Sequence, residues 1–574
     1  MANEVIQTIN TSAYAKLSVE RKLTQENNEL PEWFTTGGWQ MFKAKYLYEV
    51  DTFNQQIDRI AKTAAEHLPQ DIRADYRYRF FKMLYNGWLA CSTPVLANMG
   101  TDRGMPVSCS GNYIPDSIDG FYTSYHELAM LTKYGFGTSS FLSDIRPRGS
   151  EISKGGKASG TDDVVTSCVD VMVKVAQGTA RRGAWAGYLD IEHGDFDEVC
   201  TSLRNFPDDM NMGWNISQSF IDKLENGDEE AHRRIDLAMS TKAITGKGYF
   251  YFVDKVADLQ PDWYKKHGLR SLASNLCTEI TLHSDENHTY TCVLSSLNLA
   301  KYDEWKDTTT VQDAIVFLDC VASEFIRMAT GKKGFEKAVN FTRKSRALGL
   351  GTLGFHTMLQ DKSIAFESFE AHSLNNQVFS HIKTEAVKAT EWLAEVLGEP
   401  VWMQGTGRRN SHLLAIAPNT SSALICGGVS QGIEPVVANI YNQSTAAGEL
   451  YRVNPSFLKI AKERGKFNDE LVSDLLDTNG SVQHLDWLSD HEKLVFKTAY
   501  EIDQKAILRL AAARQQYICQ AQSLNLFFDA EESEDYIMEV HREAFLNPMI
   551  KSLYYMRTLP GVQASKGECV ACEG

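Results

Sequence analysis

Asn275-Leu276-Cys277-Thr278-Glu279 sets an amide, a thiol and a carboxylate at alternate positions. In extended or tightly looped backbone, residues two apart point the same way, so these three groups can converge on one small substrate. A second thiol follows at Cys292, heading Cys292-Val293-Leu294-Ser295-Ser296-Leu297-Asn298-Leu299. A third, Cys109, stands in the strand-like piece Pro106-Val107-Ser108-Cys109-Ser110-Gly111-Asn112-Tyr113. For any one of these thiols taken alone, a small apolar cysteine in a buried strand remains the alternative. The last residues, Cys569-Val570-Ala571-Cys572-Glu573-Gly574, hold two more thiols in a CxxC. One zinc ion would need two further ligands, and no second CxxC exists in the chain, so a travelling redox dithiol is the better reading.

The elements that must position these groups differ along the chain. Residues 1–90 read as a helical N-terminal region, with apolar residues at helical spacing from Tyr46 to Ala64 and from Tyr76 to Ala90. From Cys91-Ser92-Thr93-Pro94 onward, Gly and Pro punctuate short apolar runs, and Pro94 is expected to end any helix. A helix is expected from Asp116-Ser117-Ile118-Asp119 to about Lys133, and a second from Asp162 to about Gln177. Their apolar faces fit either a dimer surface or the chain's own core. Between Gly135 and Gly160, glycines alternate with Arg146, Arg148, Lys154 and Lys157, a segment suited to a phosphate or to a plain surface loop. Arg346 to Gly354 reads as a buried strand closely approached by backbone or ligand. Thr420-Ser421-Ser422, at an expected helix start, offers hydroxyls and free amides to an anion, or else a simple cap.

Composition narrows the class. The 574 residues are 43% hydrophobic, enough for a large core, and the formal net charge of −16 argues against a nucleic-acid polymer as partner. No stretch reaches a membrane span, and Met1-Ala2-Asn3-Glu4-Val5 lacks the charged and apolar segments of a signal peptide, so none is expected. Eleven widely spaced cysteines do not form a secreted disulfide framework, so the expected location is a reducing cytoplasm.

In order, the Ser92-Thr93-Pro94 turn, Cys109 with Asp116-Ser117, Asn275-x-Cys277-x-Glu279, Cys292, Thr420-Ser421-Ser422 before Gly432-Ile433-Glu434-Pro435, Tyr554-Tyr555 and the terminal CxxC resemble the catalytic (large, alpha) subunit of class I ribonucleotide reductases. The resemblance runs from about Leu30 to the C-terminus. It implies an α/β fold: a ten-stranded α/β barrel of two five-stranded half-barrels with a central finger loop over residues 91–556, after the helical region 1–90 and before a flexible redox tail at 557–574. It implies that Cys277 is the thiyl radical that takes the ribose 3′ hydrogen, Glu279 the base and Asn275 the anchor for the 3′ hydroxyl. Cys109 and Cys292 become the reducing pair, recharged through Cys569 and Cys572 by thioredoxin or glutaredoxin.

The same resemblance gives Thr93, Ser108, Thr420, Ser421 and Ser422 to the ribonucleoside diphosphate substrate, beside Asn275 and Glu279. Asp116, Ser117, Ile118 and Arg146, with Arg181 in the Gly178–Ala184 loop, fall to a nucleoside triphosphate effector (a deoxynucleotide or ATP) at a homodimer interface. Tyr554 and Tyr555 would relay the radical from a dimetal small (beta) subunit, since this chain itself shows no metal or cofactor ligand set. With 108 residues ahead of Cys109, no ATP-cone is expected, nor inhibition by dATP through one. A glycyl-radical barrel enzyme and a non-enzymatic zinc-binding protein are the alternatives.

Overall fold

The computed structural model describes residues 15–107, 109–153, 155–175, 183–445 and 448–558, with side chains outside 442–451. Helices Thr36–Lys45, Phe53–Ala65 and Arg73–Tyr85 build the N-terminal region. The expected helix from Tyr46 is shorter than its apolar spacing suggests. Thr52 and Gln55 form a capping box that starts the helix only at Phe53. The helix expected to reach Ala90 stops at Tyr85, before Gly87 at φ +65°, where a side chain would strike the Trp33 ring. Strand β1 (Leu89–Cys91) follows.

Pro94 also acts differently from expectation. It sits in the first turn of helix Thr93–Asn98, where its missing N–H costs nothing, so it starts a helix instead of ending one.

Five parallel strands come next, in sequence order: β2 (Cys109–Tyr113), β3 (Gly137–Phe141), β4 (Trp185–Asp190), β5 (Met212–Ile216) and β6 (Tyr249–Phe252). They are buried almost throughout, as strands with helices outside and packing inside must be. Helices Ile118–Lys133 and Thr161–Lys174 flank them near the two expected ranges.

A second parallel set begins with β7 (Tyr290–Asn298) and β8 (Leu348–Leu353). It continues through extended segments at 412–417 and 520–524, joined by parallel bridges Leu350 to Leu414 and Ile416 to Gln522. After the hairpin β9 (Ile440–Thr445) and β10 (Gly448–Val453), and β11 (Leu526–Phe528), the set ends at β12 (Ser552–Leu553), whose following Tyr554 N–H donates to the Leu524 carbonyl at 2.8 Å. Strand β13 (Met556–Thr558) then pairs with β11. The two five-stranded sets meet antiparallel at both seams, β2 with β7 and β12 with β6. The result is a closed ten-stranded α/β barrel.

Residues 273–280 leave this wall and fold into the barrel as a finger loop. The Tyr188 hydroxyl of β4 donates to the Asn275 carbonyl at 2.6 Å. From the other half, Ser552 Oγ donates to the Thr278 carbonyl at 2.9 Å and the Ala521 N–H to the Glu279 carbonyl at 2.9 Å. These ties hold Thr278 at φ +68°, a left-handed conformation that costs a β-branched residue on the order of 1–2 kcal/mol.

Candidate functional site

The barrel seam places Cys109 directly opposite Cys292 in the β2–β7 register. Residues facing one another across antiparallel strands have Cβ atoms about 4.5–5.5 Å apart, within a small shift of disulfide geometry. Gly349 makes the space. A side chain there would come 2.8 Å from the Cys292 sulfur and 2.5 Å from Leu294. Gln520 Nε2 donates toward Cys292 Sγ at 3.6 Å, and burial pushes the Cys292 thiol well above its ordinary value.

The finger loop brings its own groups to this pair. Asn275 Nδ2 lies 3.4 Å from Cys109 Sγ, while its Oδ1 accepts the N–H groups of Glu279 at 3.1 Å and Ile280 at 3.3 Å. Its oxygen is thus committed to shaping the loop, leaving the NH₂ as the end able to meet a ligand. Glu279 is buried, and burial pushes its carboxyl up to about 7 despite the backbone and Asn275 contacts that lower it. Its Oε2 has no hydrogen-bond partner among the described residues; nor have the buried hydroxyls of Ser110, Thr278, Thr281 and Ser421. Orphaned polar atoms on the finger loop, on β2 and at the start of helix Thr420–Ile425 call for a polar ligand.

Cys277, at the loop tip, receives the Tyr554 hydroxyl at 3.6 Å. The Tyr554 and Tyr555 rings are 4.2 Å apart, and Tyr249 packs on both, at 4.7 and 5.3 Å. Asn525 links Tyr555 to Glu434: its Oδ1 accepts the Tyr555 N–H at 3.1 Å and its Nδ2 donates to Glu434 Oε1 at 2.7 Å. Burial pushes the Glu434 carboxyl up to about 7. Arg557 lies over the Tyr555 ring at 4.6 Å. Lys242, fully buried, donates to the carbonyls of Tyr554 and Gly248.

Hydroxyl groups gather farther along β7. Ser296 Oγ donates to Asn419 Oδ1 at 3.0 Å, and Asn419 heads the helix Thr420–Ile425. Ser422 Oγ donates to the carbonyl of Cys91, whose register partner is Ser295. Thr93 Oγ1 meets the Tyr46 hydroxyl at 2.9 Å, and Thr420 Oγ1 meets Gln431 at 3.0 Å. Ser295 is about 10 Å beyond Cys292 at strand rise.

Past the end of β2, Arg146 Nε reaches Asp116 Oδ2 at 2.5 Å, and Ser117 caps the helix whose first residue is Ile118. Four of the five effector candidates therefore meet at one helix start. The glycine-rich segment supplies fewer open cations than its composition suggests, because Arg148 is engaged by Asp163 and Glu198. Ser108, Arg181, Cys569 and Cys572 lie outside the described residues.

Reasoning from sequence missed Gln520, Tyr249, Asn525, Lys242 and Tyr188. Each is a common residue far in sequence from the thiols, and no local spacing marks it. It also missed His283, Asp285 and His288, which an H-x-D-x-x-H count would have found.

Two domains of the chain match described families: "Ribonucleotide reductase, all-alpha domain" over residues 32–104, and "Ribonucleotide reductase, barrel domain" over 107–233, 230–405 and 401–556. The chain belongs to the ribonucleotide reductase large-subunit family. It is 35% identical to the putative ribonucleoside-diphosphate reductase large subunit of Frog virus 3 (isolate Goorha), over 85% of this chain and 91% of that one. It is 29% identical to the ribonucleoside-diphosphate reductase large subunit of Invertebrate iridescent virus 3, over 94% and 98%. Among solved structures it resembles the Actinobacillus ureae class Id ribonucleotide reductase alpha subunit, with TM-score 0.85 and 36% identity over 93% of this chain and 99% of that one. No helix among the described residues is long and apolar enough to cross a membrane.

Proposed function

We propose that the chain is the catalytic subunit of a ribonucleoside-diphosphate reductase, and that Cys277, Glu279, Asn275, Cys109 and Cys292 carry out the reduction. The observation that carries this reading is the meeting of a buried carboxyl, an amide and a cross-strand thiol pair around one finger loop. A thiyl radical on Cys277 takes the ribose 3′ hydrogen atom. Glu279, with a proton affinity near neutral pH, accepts the 3′ hydroxyl proton while the Asn275 NH₂ holds that oxygen. The 2′ hydroxyl leaves as water with a proton from the thiol pair. Cys109 and Cys292 then close to a disulfide, giving two electrons and the second thiol hydrogen to the sugar. That hydrogen ends on the 2′ carbon, Glu279 returns its proton to the 3′ oxygen, and Cys277 returns its hydrogen to the 3′ carbon.

Thr93, Ser108, Thr420, Ser421 and Ser422 are assigned to the diphosphate. The hydroxyl cluster's distance along β7 from Cys292 suits the reach from a ribose to its 5′ phosphates. Tyr554 and Tyr555 pass the radical inward from a separate dimetal small subunit. Phenols suit that step because the electron and the O–H proton can leave together. The apolar groove of Ile221, Leu224, Ile235, Met239, Met538 and Phe545 borders the helix leading to Tyr554 and suits a segment of that partner. Cys569 and Cys572 would carry electrons from thioredoxin or glutaredoxin to the buried pair.

A nucleoside triphosphate effector is assigned to Asp116, Ser117, Ile118, Arg146 and Arg181 at a homodimer face. Ile118 and Tyr122 are 72% and 70% exposed on one helix and Val173 is 63% exposed on its neighbour, an apolar face that a second copy would cover. The deciding experiment mixes the chain with its cognate small subunit and CDP. Deoxy-CDP should form with the native chain and not with Cys277→Ser; product from Cys277→Ser would refute the assignment.

A further inference from the structure

His283, Asp285 and His288 lie on the turn that feeds β7, and the reductive chemistry uses none of them. Asp285 and His288 pair across the turn, N–H to carbonyl in both directions at 3.0 and 3.3 Å. His283 Nε2 lies 2.9 Å from one Asp285 carboxylate oxygen and His288 Nδ1 lies 2.8 Å from the other. One donor atom from each residue falls within 4.8 Å of the other two. Both imidazoles are buried, whereas the Asp285 side chain is 42% exposed and leaves an approach from solvent.

We propose that this turn binds a divalent transition-metal ion of the zinc type through His283 Nε2, an Asp285 oxygen and His288 Nδ1, with water completing the shell. Two ring nitrogens aimed at one carboxylate each need a proton to make that contact, and those protons occupy the directions a metal ion would use. His283 is prepared for the exchange. Its Nδ1 faces both the N–H of Arg270 at 3.1 Å and the Arg270 carbonyl at 3.0 Å, so either tautomer is satisfied. With a metal ion on Nε2, the Nδ1–H donates to that carbonyl, the outer contact that metal-bound histidines commonly make. Two imidazoles and one carboxylate favour zinc, cobalt, nickel or iron over magnesium and calcium, which prefer all-oxygen shells.

One neighbour opposes binding. Lys344 Nζ sits 2.9 Å from His288 Nε2, where an ammonium donates to that nitrogen and keeps the His288 proton on Nδ1. Metal binding requires Lys344 to turn away as the proton moves to Nε2. The lysine thus gives the site a signature that an adventitious surface ion would lack. Trp402, with its ring 5.1 Å from that of His288, provides an optical reporter. Tyr290 and Cys292 stand two and four residues beyond His288, so a bound ion would pin the start of the strand that carries a reducing thiol.

The test titrates Co(II) into the full-length chain carrying Cys569→Ser and Cys572→Ser, which removes the terminal thiols as rival ligands. One equivalent should bind with visible absorption of nitrogen- and oxygen-ligated Co(II), quench tryptophan fluorescence and be displaced by one equivalent of Zn(II). Zn(II) should also raise the melting temperature, and Mg(II) should do neither. The isosteric Asp285→Asn, and separately His288→Gln, should weaken binding more than about a hundredfold, beyond the 10- to 100-fold that outer contacts cost. Lys344→Met should tighten it roughly tenfold by removing a nearby positive charge. The proposal fails if the chain takes up no Co(II), if uptake is unchanged in the folded Asp285→Asn and His288→Gln variants (near-ultraviolet circular dichroism as the check), or if Lys344→Met does not strengthen it.

Discussion

Replacing Glu279 by glutamine keeps the side chain's shape, removes its charge and should separate stability from turnover. Burial holds the Glu279 carboxyl up to about 7, against an ordinary 4.5. Because the folded value lies above the unfolded one, the neutral carboxyl's contribution to stability is fully present below about pH 4.5 and is lost as pH rises through 7. A difference of about 2.5 (7 less 4.5) at 1.36 kcal/mol each puts the loss at about 3 kcal/mol by pH 8, and at about 1 kcal/mol at pH 5.5. Glutamine does not ionise. The stability of Glu279→Gln relative to the native chain should therefore increase by about 2 kcal/mol between pH 5.5 and pH 8. Urea unfolding of the ligand-free chains at the two pH values measures this, and turnover with the small subunit is measured alongside. Turnover should fall by at least about 10² without the base. A stability difference independent of pH, or turnover within a few-fold of native, would refute the reasoning.

Tyr554→Phe removes the hydroxyl 3.6 Å from Cys277 but keeps the ring, so turnover should cease while nucleotide binding by equilibrium dialysis is unchanged. Gly349→Ala forces a methyl group to within 2.8 Å of the Cys292 sulfur. It should destabilise the chain by about 1–3 kcal/mol in urea and slow closure of the Cys109–Cys292 disulfide, read by thiol alkylation. Ile118→Lys places a charge on the exposed apolar helix face. Sedimentation should then show a loosened dimer and effector response should fall, with monomer fold retained by circular dichroism.

The loop and its one thiol were legible because Asn275, Cys277 and Glu279 stand close together and their residue types are chemically distinct. The helices beginning at Ile118 and Thr161 were legible from acidic and hydroxyl residues ahead of apolar spacing. Helix ends were harder, since Thr52 with Gln55 and Gly87 outweighed the apolar periodicity around them. Pro94 was misread because proline ends a helix in its interior but suits its first turn. The Cys109–Cys292 register could not be read from either strand alone, since it arises where the two half-barrels close. Glu434 lies in Gly432-Ile433-Glu434-Pro435, but its place behind Tyr555 depends on Asn525, 91 residues away.

A single round of catalysis with quantified thiols tests the central claim most directly. The chain with Cys569→Ser and Cys572→Ser is combined with the cognate small subunit and CDP without external reductant, quenched in acid, alkylated and digested. One deoxynucleotide per active site should appear together with one Cys109–Cys292 disulfide, and both should be absent in Cys277→Ser. Deoxynucleotide formed while Cys109 and Cys292 remain free thiols would contradict the account.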